Sequence, residues 1–474
     1  MKTLDKFYIN GQWIAPSTGA TFTDIVDPAT EALTGRLAMG TADDADRAVH
    51  AAQAAFPAWS ATSRETRIAV LERVMACYQA RLGALAEAVR LEIGAPATLC
   101  ETLQAPIGLG QIQATVEALR QFEFESARGR SYVCREAIGV VALITPWNWP
   151  LNQIAAKVAP ALAAGCTVVL KPSEIAPLDA MLFAEVMHEA GVPAGVFNMI
   201  FGEGTVVGRA LSSHPGVDMV SITGSTRAGV EVAISAAPTV KRVAQELGGK
   251  SPLLILDDAD LQTAVVTGVT QLMMNSGQTC IAPTRMLVPR ARYEDAVTIA
   301  AAAANAIQVG DPADPATSMG PVSSRGQYDK VQRMIGIGLE EGARLAAGGP
   351  GRPDGLERGY YVRPTVFADV RNDMTIAREE IFGPVLVMIP YDSEDEAIAL
   401  ANDTEYGLAA YIACNDPERT RRIAARLRAG AVFVNGAMLD IAAPFGGYKT
   451  SGNGREFGPE GLAEFLETKT VSAP

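Results

Sequence analysis

Residues 139–174 read GVVALITPWNWPLNQIAAKVAPALAAGCTVVLKPSE, and the order of patterns inside this stretch decides the fold. GVVALI (139–144) and TVVL (167–170) are short, uncharged and rich in β-branched residues, the composition of strands buried on both faces. Between them LNQIAAKVAPALAAG has helical length and ends at a glycine. The unit recurs downstream: VFNMI (196–200), DMVSIT (218–223) and VKRVAQEL (240–247) read as further strands, with PLDAMLFAEVMHEAG and STRAGVEVAISAA as helices. Such alternation predicts an α/β fold with a parallel sheet covered on both faces, whose ligands bind beyond the carboxyl ends of the strands.

A second alternation starts after GGKSP (248–252). LLIL, the helical DLQTAVVTGVTQLMM and TRMLV come first, then YVRPTVFADV, YGLAAYIAC and GAVFVNG. The change of unit near Gly248 predicts a domain boundary. Upstream, residues 64–94 have the spacing of two amphipathic helices, expected to pack on the first sheet. Ser393 and Glu396 are spaced as a capping box.

A chain of 474 residues exceeds one simple core and predicts two or three domains. A formal charge of −13 without a long basic run argues against a nucleic-acid binder. The start, MKTLDKFYINGQW, lacks the apolar centre of a signal peptide, so a cytoplasmic protein is expected. Residues 138–156 carry no charge, but Pro146, Asn148, Pro150, Asn152 and Gln153 exclude a lipid-exposed helix. Six scattered cysteines without a CxxC pair fit reduced thiols, and three dispersed histidines predict no metal site.

Four loop motifs, one of them a pair of glycine turns, and one cysteine carry the chemistry. In TPWNWP (145–150), Asn148 is an amide able to donate to a developing oxyanion; the competing reading is a turn cap. LKPSE (170–174) puts Lys171 and Glu174 at a strand end, where they hold sugar hydroxyls or form a surface ion pair. FGEGTVVG (201–208), with Gly204 and Gly208, and ITGSTRAG (222–229), with Gly224, each open a helix and suit a phosphate, though neither is GxGxxG. QELGGKSP (245–252) places Glu246 where a partly desolvated carboxylate acts as a base, the alternative being a solvated glutamate. Cys280, in the polar NSGQTCIAPTR (275–285), is a candidate nucleophile that needs only modest help from backbone dipoles; a lone structural cysteine is the competing reading.

Taken in order, PWNWP, KPSE, GSTRAG, ELGGKSP, GQTC, EEIFGPV and PFGGYKTSGNGRE closely resemble the aldehyde dehydrogenase superfamily, over essentially the whole chain. The resemblance implies that Cys280 attacks an aldehyde, that Asn148 and the Cys280 N–H hold the oxyanion, and that Glu246 activates water against the resulting thioester. It implies proton relay through Lys157 and Glu456. NAD would be held by Ile144, Thr145, Trp147, Lys171, Ser173, Glu174, Gly204, Gly208, Gly224, Ser225, Leu247, Gly248, Glu380 and Phe382, with NADP as an alternative that Glu174 disfavours. It implies a Rossmann-like NAD-binding domain (1–116 and 138–247), a catalytic domain (248–448) and a small β bridging or oligomerisation element (117–137 and 463–474), hence a homodimer or homotetramer.

Trp149, Gln153, Ala156, Ile281, Met438, Leu439 and Phe445 are expected to line the substrate tunnel, without an arginine for a second carboxylate. A neutral aliphatic or aromatic aldehyde is therefore favoured over a semialdehyde acid. Trp149 stands where many relatives have phenylalanine. Two further readings are an acylating dehydrogenase, which often lacks the glutamate base, and a non-catalytic structural member, which tends to lose catalytic side chains.

Overall fold

The fold is built around an eight-stranded sheet whose parallel centre runs Arg242–Glu246, Met219–Thr223, Val140–Ile144, Thr167–Lys171, Phe197–Met199. These are the five strands expected from the sequence. In the computed structural model, which describes residues 2–472, short antiparallel strands extend both edges, Gly452–Asn453 on one side and Phe7–Ile9 with Gln12–Ile14 on the other. Val140–Ile144 lies at the centre, and the chain leaves it towards Thr167–Lys171 on one flank and later returns to Met219–Thr223 on the other. That is the switch point at which carboxyl-end loops part and leave a crevice.

All fifteen residues of helix Pro150–Ala164 are buried, between this sheet and helix Ala105–Gln121. The uncharged stretch around residues 138–156 is thus a core strand, turn and helix. No helix among the described residues is long and apolar enough to cross a membrane.

The helical pair is present as Arg64–Ala80 and Leu82–Ile93, but its placement differs from expectation. It packs on helices Ala105–Gln121 and Pro177–Glu189, forming an outer layer, while Ala42–Ser60 contacts strand Thr167–Lys171. Helical spacing reports that a face is buried, not what buries it.

The second sheet has seven strands in the order Arg344–Ala347, Thr365–Ala368, Val385–Tyr391, Arg285–Pro289, Pro252–Ile255, Ala409–Ala413, Ala431–Val434. All pairs are parallel except the one at the Arg344–Ala347 edge. A third, antiparallel sheet joins Glu125–Arg128 and Ser131–Ala137 to Leu466–Ser472. Helix Ala105–Gln121 occupies residues up to 121, so strand structure in this region begins at Glu125. The expected capping box is half formed: the Glu396 N–H donates to Ser393 Oγ, whereas the Glu396 carboxylate accepts from Asp392 N at 2.6 Å rather than from Ser393 N.

Candidate active site

The crevice lies between the carboxyl ends of the first sheet's parallel strands, which Asn148 follows and Glu246 ends, and the amino ends of the second sheet's, since Cys280 precedes strand Arg285–Pro289 and Glu380 precedes Val385–Tyr391. Helix Leu261–Met273 ends and the chain turns through three consecutive left-handed residues, Asn275, Ser276 and Gly277, to present Cys280. A Cβ on Gly277 would stand 2.2 Å from the Gly383 carbonyl, so only glycine fits there. The polar residues before Cys280 are not solvated: Asn275, Ser276 and Gln278 are each at most 2% exposed. Ser276 Oγ donates to Gly320 O at 2.8 Å, and Gln278 Nε2 donates to Asn275 O at 3.0 Å. Their hydrogen bonds hold a strained turn.

Asn148, on the turn leaving Val140–Ile144, reaches this loop. Its Nδ2 donates to the Gln278 carbonyl at 3.0 Å, which engages one amide hydrogen and leaves the other free. Glu246 ends its strand with a side chain 4% exposed and neither carboxylate oxygen hydrogen-bonded. Burial, and then the Glu456 carboxylate, hold its pKa well above the usual range, against the opposing charges of Lys157 and Arg455. Lys157, fully buried, pairs with Glu456 and donates to Ser221 Oγ at 3.0 Å. The Cys280 thiol is also pushed up, by burial first and then by the carboxylates of Glu380 and Glu246. The backbone N–H groups of Ile281 and Cys280 lower it by less. Backbone dipoles alone, as expected from the sequence, do not yield the thiolate; the proton needs an acceptor.

Cys280 opens into a cavity of about 150 Å³. Trp149, Gln153, Ile281, Met438, Leu439 and Phe445 all line it, as do Leu103, Ile107, Met274, Tyr411, Phe433 and Phe457. Ala156 instead lies behind the wall, packed with Leu408, Phe445 and Phe457. Asp440 is exposed and accepts from Ala442 N within its own loop. The lining includes one ionisable carboxylate, Glu456, and no lysine or arginine. Trp149 Nε1 donates to Thr279 Oγ1 at 3.0 Å, which ties the cavity wall to the residue beside the thiol.

On the other side of the loop, the residues fit a dinucleotide. Lys171, 3% exposed, donates to Pro172 O and lies 3.4 Å from the half-exposed Glu174 carboxylate, so this is no simple surface pair. Ser173 is buried, its Oγ accepting from Ile175 N. Gly208 faces Lys171 and Ile144 across a gap in which a Cβ would just touch both. Thr145 Oγ1 is buried without a partner, an orphan that a bound ligand would satisfy. Ser225 caps helix Thr226–Ala236 by accepting from Ala228 N, which leaves its hydroxyl proton free at a helix N-terminus, just after Gly224. Gly204 starts the turn ending at Gly208, with open space where its Cβ would be. Leu247 packs beneath Gly229 of the same helix. Glu380 accepts from Gly249 N at 2.9 Å, an approach that Gly248 permits, since a Cβ there would meet the carboxylate at 2.6 Å. Phe382 has φ +60° and stands edge-on to Trp147 at 5.6 Å, its carbonyl held by Gln327 Nε2.

Comparison with known proteins agrees with this geometry. The Aldehyde dehydrogenase family model matches residues 13–471. The chain belongs to the aldehyde dehydrogenase family. It is 54% identical over 472 residues, 99% of each chain, to a 3-succinoylsemialdehyde-pyridine dehydrogenase of a Pseudomonas species. It superposes with TM-score 0.98 and 52% identity on a cysteine-to-alanine mutant of aldehyde dehydrogenase C from Pseudomonas syringae, crystallised with NAD+ and octanal, covering 99% of this chain and 96% of that one. The Mycobacterium tuberculosis aldehyde dehydrogenase complexed with NAD+ gives 0.97 at 43% identity, covering 100% and 99%.

Several residues of this aldehyde dehydrogenase site escaped the sequence reading. Gln104, Asn275 and Gln278 form the buried amide scaffold behind Asn148, and Gln327 holds Phe382. Leu103 and Ile107 come from a helical segment without any motif, where an apolar i, i+4 pair reads as ordinary core.

Proposed function

We propose that this aldehyde dehydrogenase oxidises a neutral aliphatic or aromatic aldehyde to its carboxylic acid, with NAD, through a thioester at Cys280. The observation that carries the reading is a cysteine at the wall of an apolar cavity, in electrostatic range of a buried carboxylate that has no hydrogen-bond partner. Cys280 Sγ attacks the carbonyl carbon, and its proton passes to Glu246, whose raised pKa makes it a competent acceptor. The free N–H of the Asn148 amide and the Cys280 backbone N–H receive the oxyanion. NAD, when bound, supplies the hydride acceptor that converts the adduct to a thioester. Glu246 then deprotonates the water that releases the acid, and the Lys157–Glu456 pair, adjoining it, carries protons onward.

Lys171, Ser173 and Glu174 would hold the adenosine ribose, Trp147 and Ser225 the pyrophosphate, Glu380 and Phe382 the nicotinamide side, with Ile144, Thr145, Gly204, Gly208, Gly224, Leu247 and Gly248 shaping the groove. Glu174 would repel a 2′-phosphate and so favours NAD over NADP. A carboxylate-bearing semialdehyde is the second reading; it meets Glu456 and no cation among the cavity residues. Glu246 favours hydrolysis over transfer to a second thiol, and retention of Cys280, Asn148, Glu246, Lys171 and Glu380 disfavours a purely structural role.

We assign residues 1–116 and 138–247 to the NAD-binding domain, 248–448 to the catalytic domain, and 117–137 with 463–474 to an oligomerisation element. Its strands Glu125–Arg128 and Leu466–Ser472 lie at the two edges of a three-stranded sheet, which suits a homodimer or homotetramer by edge pairing. A light-scattering mass of 49.9 kDa, that of one chain, would refute this. Six unpaired thiols suit the reducing cytoplasm.

The test follows reduced nicotinamide by absorbance with hexanal, benzaldehyde and succinate semialdehyde, using NAD and NADP, beside a Cys280→Ala control. Turnover of the neutral aldehydes with NAD, lost in the variant, is expected. A kcat/KM led by succinate semialdehyde would overturn the substrate assignment, and no turnover of any aldehyde the reaction itself.

A further inference from the structure

The loop that carries Cys280 and the turn that carries Asn148 are not held by their own backbones alone. Gln104 is fully buried at the end of a widened helical turn, Cys100–Gln104, that opens helix Ala105–Gln121. Its Nε2 donates to the Asn148 backbone carbonyl at 3.1 Å and lies 3.3 Å from Asn275 Oδ1. Asn275 Nδ2 donates to the same Asn148 carbonyl at 2.8 Å. Asn148 in turn donates its side-chain amide to the Gln278 carbonyl, two residues before Cys280, while Gln278 Oε1 accepts from Ser323 N at 2.9 Å. Asn148 is therefore fixed at both ends, its main chain by two side-chain amides and its side chain by the nucleophile loop. Leu103 and Ile107, on either side of Gln104 in sequence, line the substrate cavity.

We propose that Gln104 is a positioning residue for the oxyanion site: it sets the orientation of the Asn148 amide relative to Cys280 without touching the reacting atoms. The inference rests on the proposed dehydrogenase reaction and deepens it. Oxyanion stabilisation depends on donors aimed where charge develops, and a shift of a few tenths of an ångström in Asn148 weakens it. The Gln104 Oε1 atom has no partner in this buried site, so the side chain is retained there despite an unsatisfied acceptor.

The decisive experiment is a double-mutant cycle in the full-length enzyme, combining Gln104→Met, which removes the donors at nearly constant volume, with Asn148→Ala. Each protein is assayed for kcat/KM with hexanal and NAD, and for the rate at which iodoacetamide alkylates Cys280, a reaction that forms no oxyanion. Gln104→Met should lower kcat/KM by about 10- to 100-fold, below the loss for removing a whole oxyanion donor, with the alkylation rate within about twofold of the parent. In the Asn148→Ala background the same substitution should cost less than about twofold, because residues acting through one another are not additive. An undiminished kcat/KM, a multiplicative loss in the double variant, or alkylation slowed in step with turnover would each overturn the proposal. If Gln104→Met does not fold, Gln104→Glu, of equal size, enters the same cycle under the same criteria. A parent enzyme that oxidises no aldehyde would sink the dehydrogenase reading instead, so the two failures are distinct.

Discussion

Glu246 combines two properties that seldom meet in one carboxylate, burial to 4% exposure and no hydrogen-bond partner. Such a group is costly to charge, and that cost raises its affinity for a proton, the property that the proposed role as base requires. Replacing it by Gln keeps the shape but removes both the acceptor for the Cys280 proton and the base for water. Stopped-flow should then show no burst of reduced nicotinamide and a steady rate lower by about 10²- to 10⁴-fold; a full burst would mean that the thiol loses its proton elsewhere. The raised pKa of Glu246 also fixes a sign. Below that pKa the base is protonated, so the acid limb of kcat should lie above the ordinary carboxylate range, near 4.3. Glu456→Gln removes the second cause of the elevation and frees the Lys157 charge, and both changes lower the Glu246 pKa. The acid limb should therefore move to lower pH, and a limb that stayed or rose would contradict this electrostatic account. At this scale the sequence was informative where polar residues sit in Gly- and Pro-bounded turns, as Asn148 does after a strand and Cys280 between a helix and a strand. Gln104 gave no such signal, because a glutamine in a helical segment is ordinarily solvated.

Among the elements, the nucleophile turn is the most constrained. Gly277 has φ +72° and its Cβ position coincides with the Gly383 carbonyl, which belongs to backbone and cannot swing aside. Gly277→Ala should destabilise the protein by about 2 kcal/mol or more, from the left-handed conformation and the clash together, and abolish turnover. Gly336, inside helix Arg325–Glu340, has nothing within 4 Å of its Cβ position, so Gly336→Ala should be neutral or stabilising by up to about 1 kcal/mol. Urea denaturation of the pair checks both, and equal losses would refute the steric argument. The parallel strands were legible because a strand buried on both faces is an uninterrupted apolar run, as in VVALI. Less was legible where context outranks pattern. Helix Arg64–Ala80 packs on other helices, and the strands Lys2–Leu4, Thr21–Asp27 and Ala32–Met39 form a separate sheet whose mixed composition carries little periodicity.

Across the whole molecule, chemistry is assembled by bringing two sheets together, Glu246 ending a strand of one and Cys280 preceding a strand of the other. The outer helical layer is joined to this core by a different device. Glu92, on helix Leu82–Ile93, accepts from the backbone N–H groups of Leu178 and Asp179 at 2.6 and 3.1 Å, at the start of helix Pro177–Glu189. Its neighbour Asp179 is fully buried, and burial pushes that carboxyl up to about 7 while Glu92 is raised as well. In the unfolded chain both titrate near 4. Between about pH 4 and 7 the folded state thus keeps a proton that the unfolded state has lost, so this pair stabilises the fold less as pH rises through that window, by at most about 1.4 kcal/mol per pH unit for one proton. Asp179→Asn imitates the protonated acid and removes the charge that, after burial, raises Glu92. Thermal midpoints measured from pH 5 to 8 should fall less steeply for the variant than for the parent, with the two curves diverging most above pH 7. Parallel curves would mean that the pair binds no extra proton on folding, and a variant less stable throughout would mean that the charge itself holds the helices together.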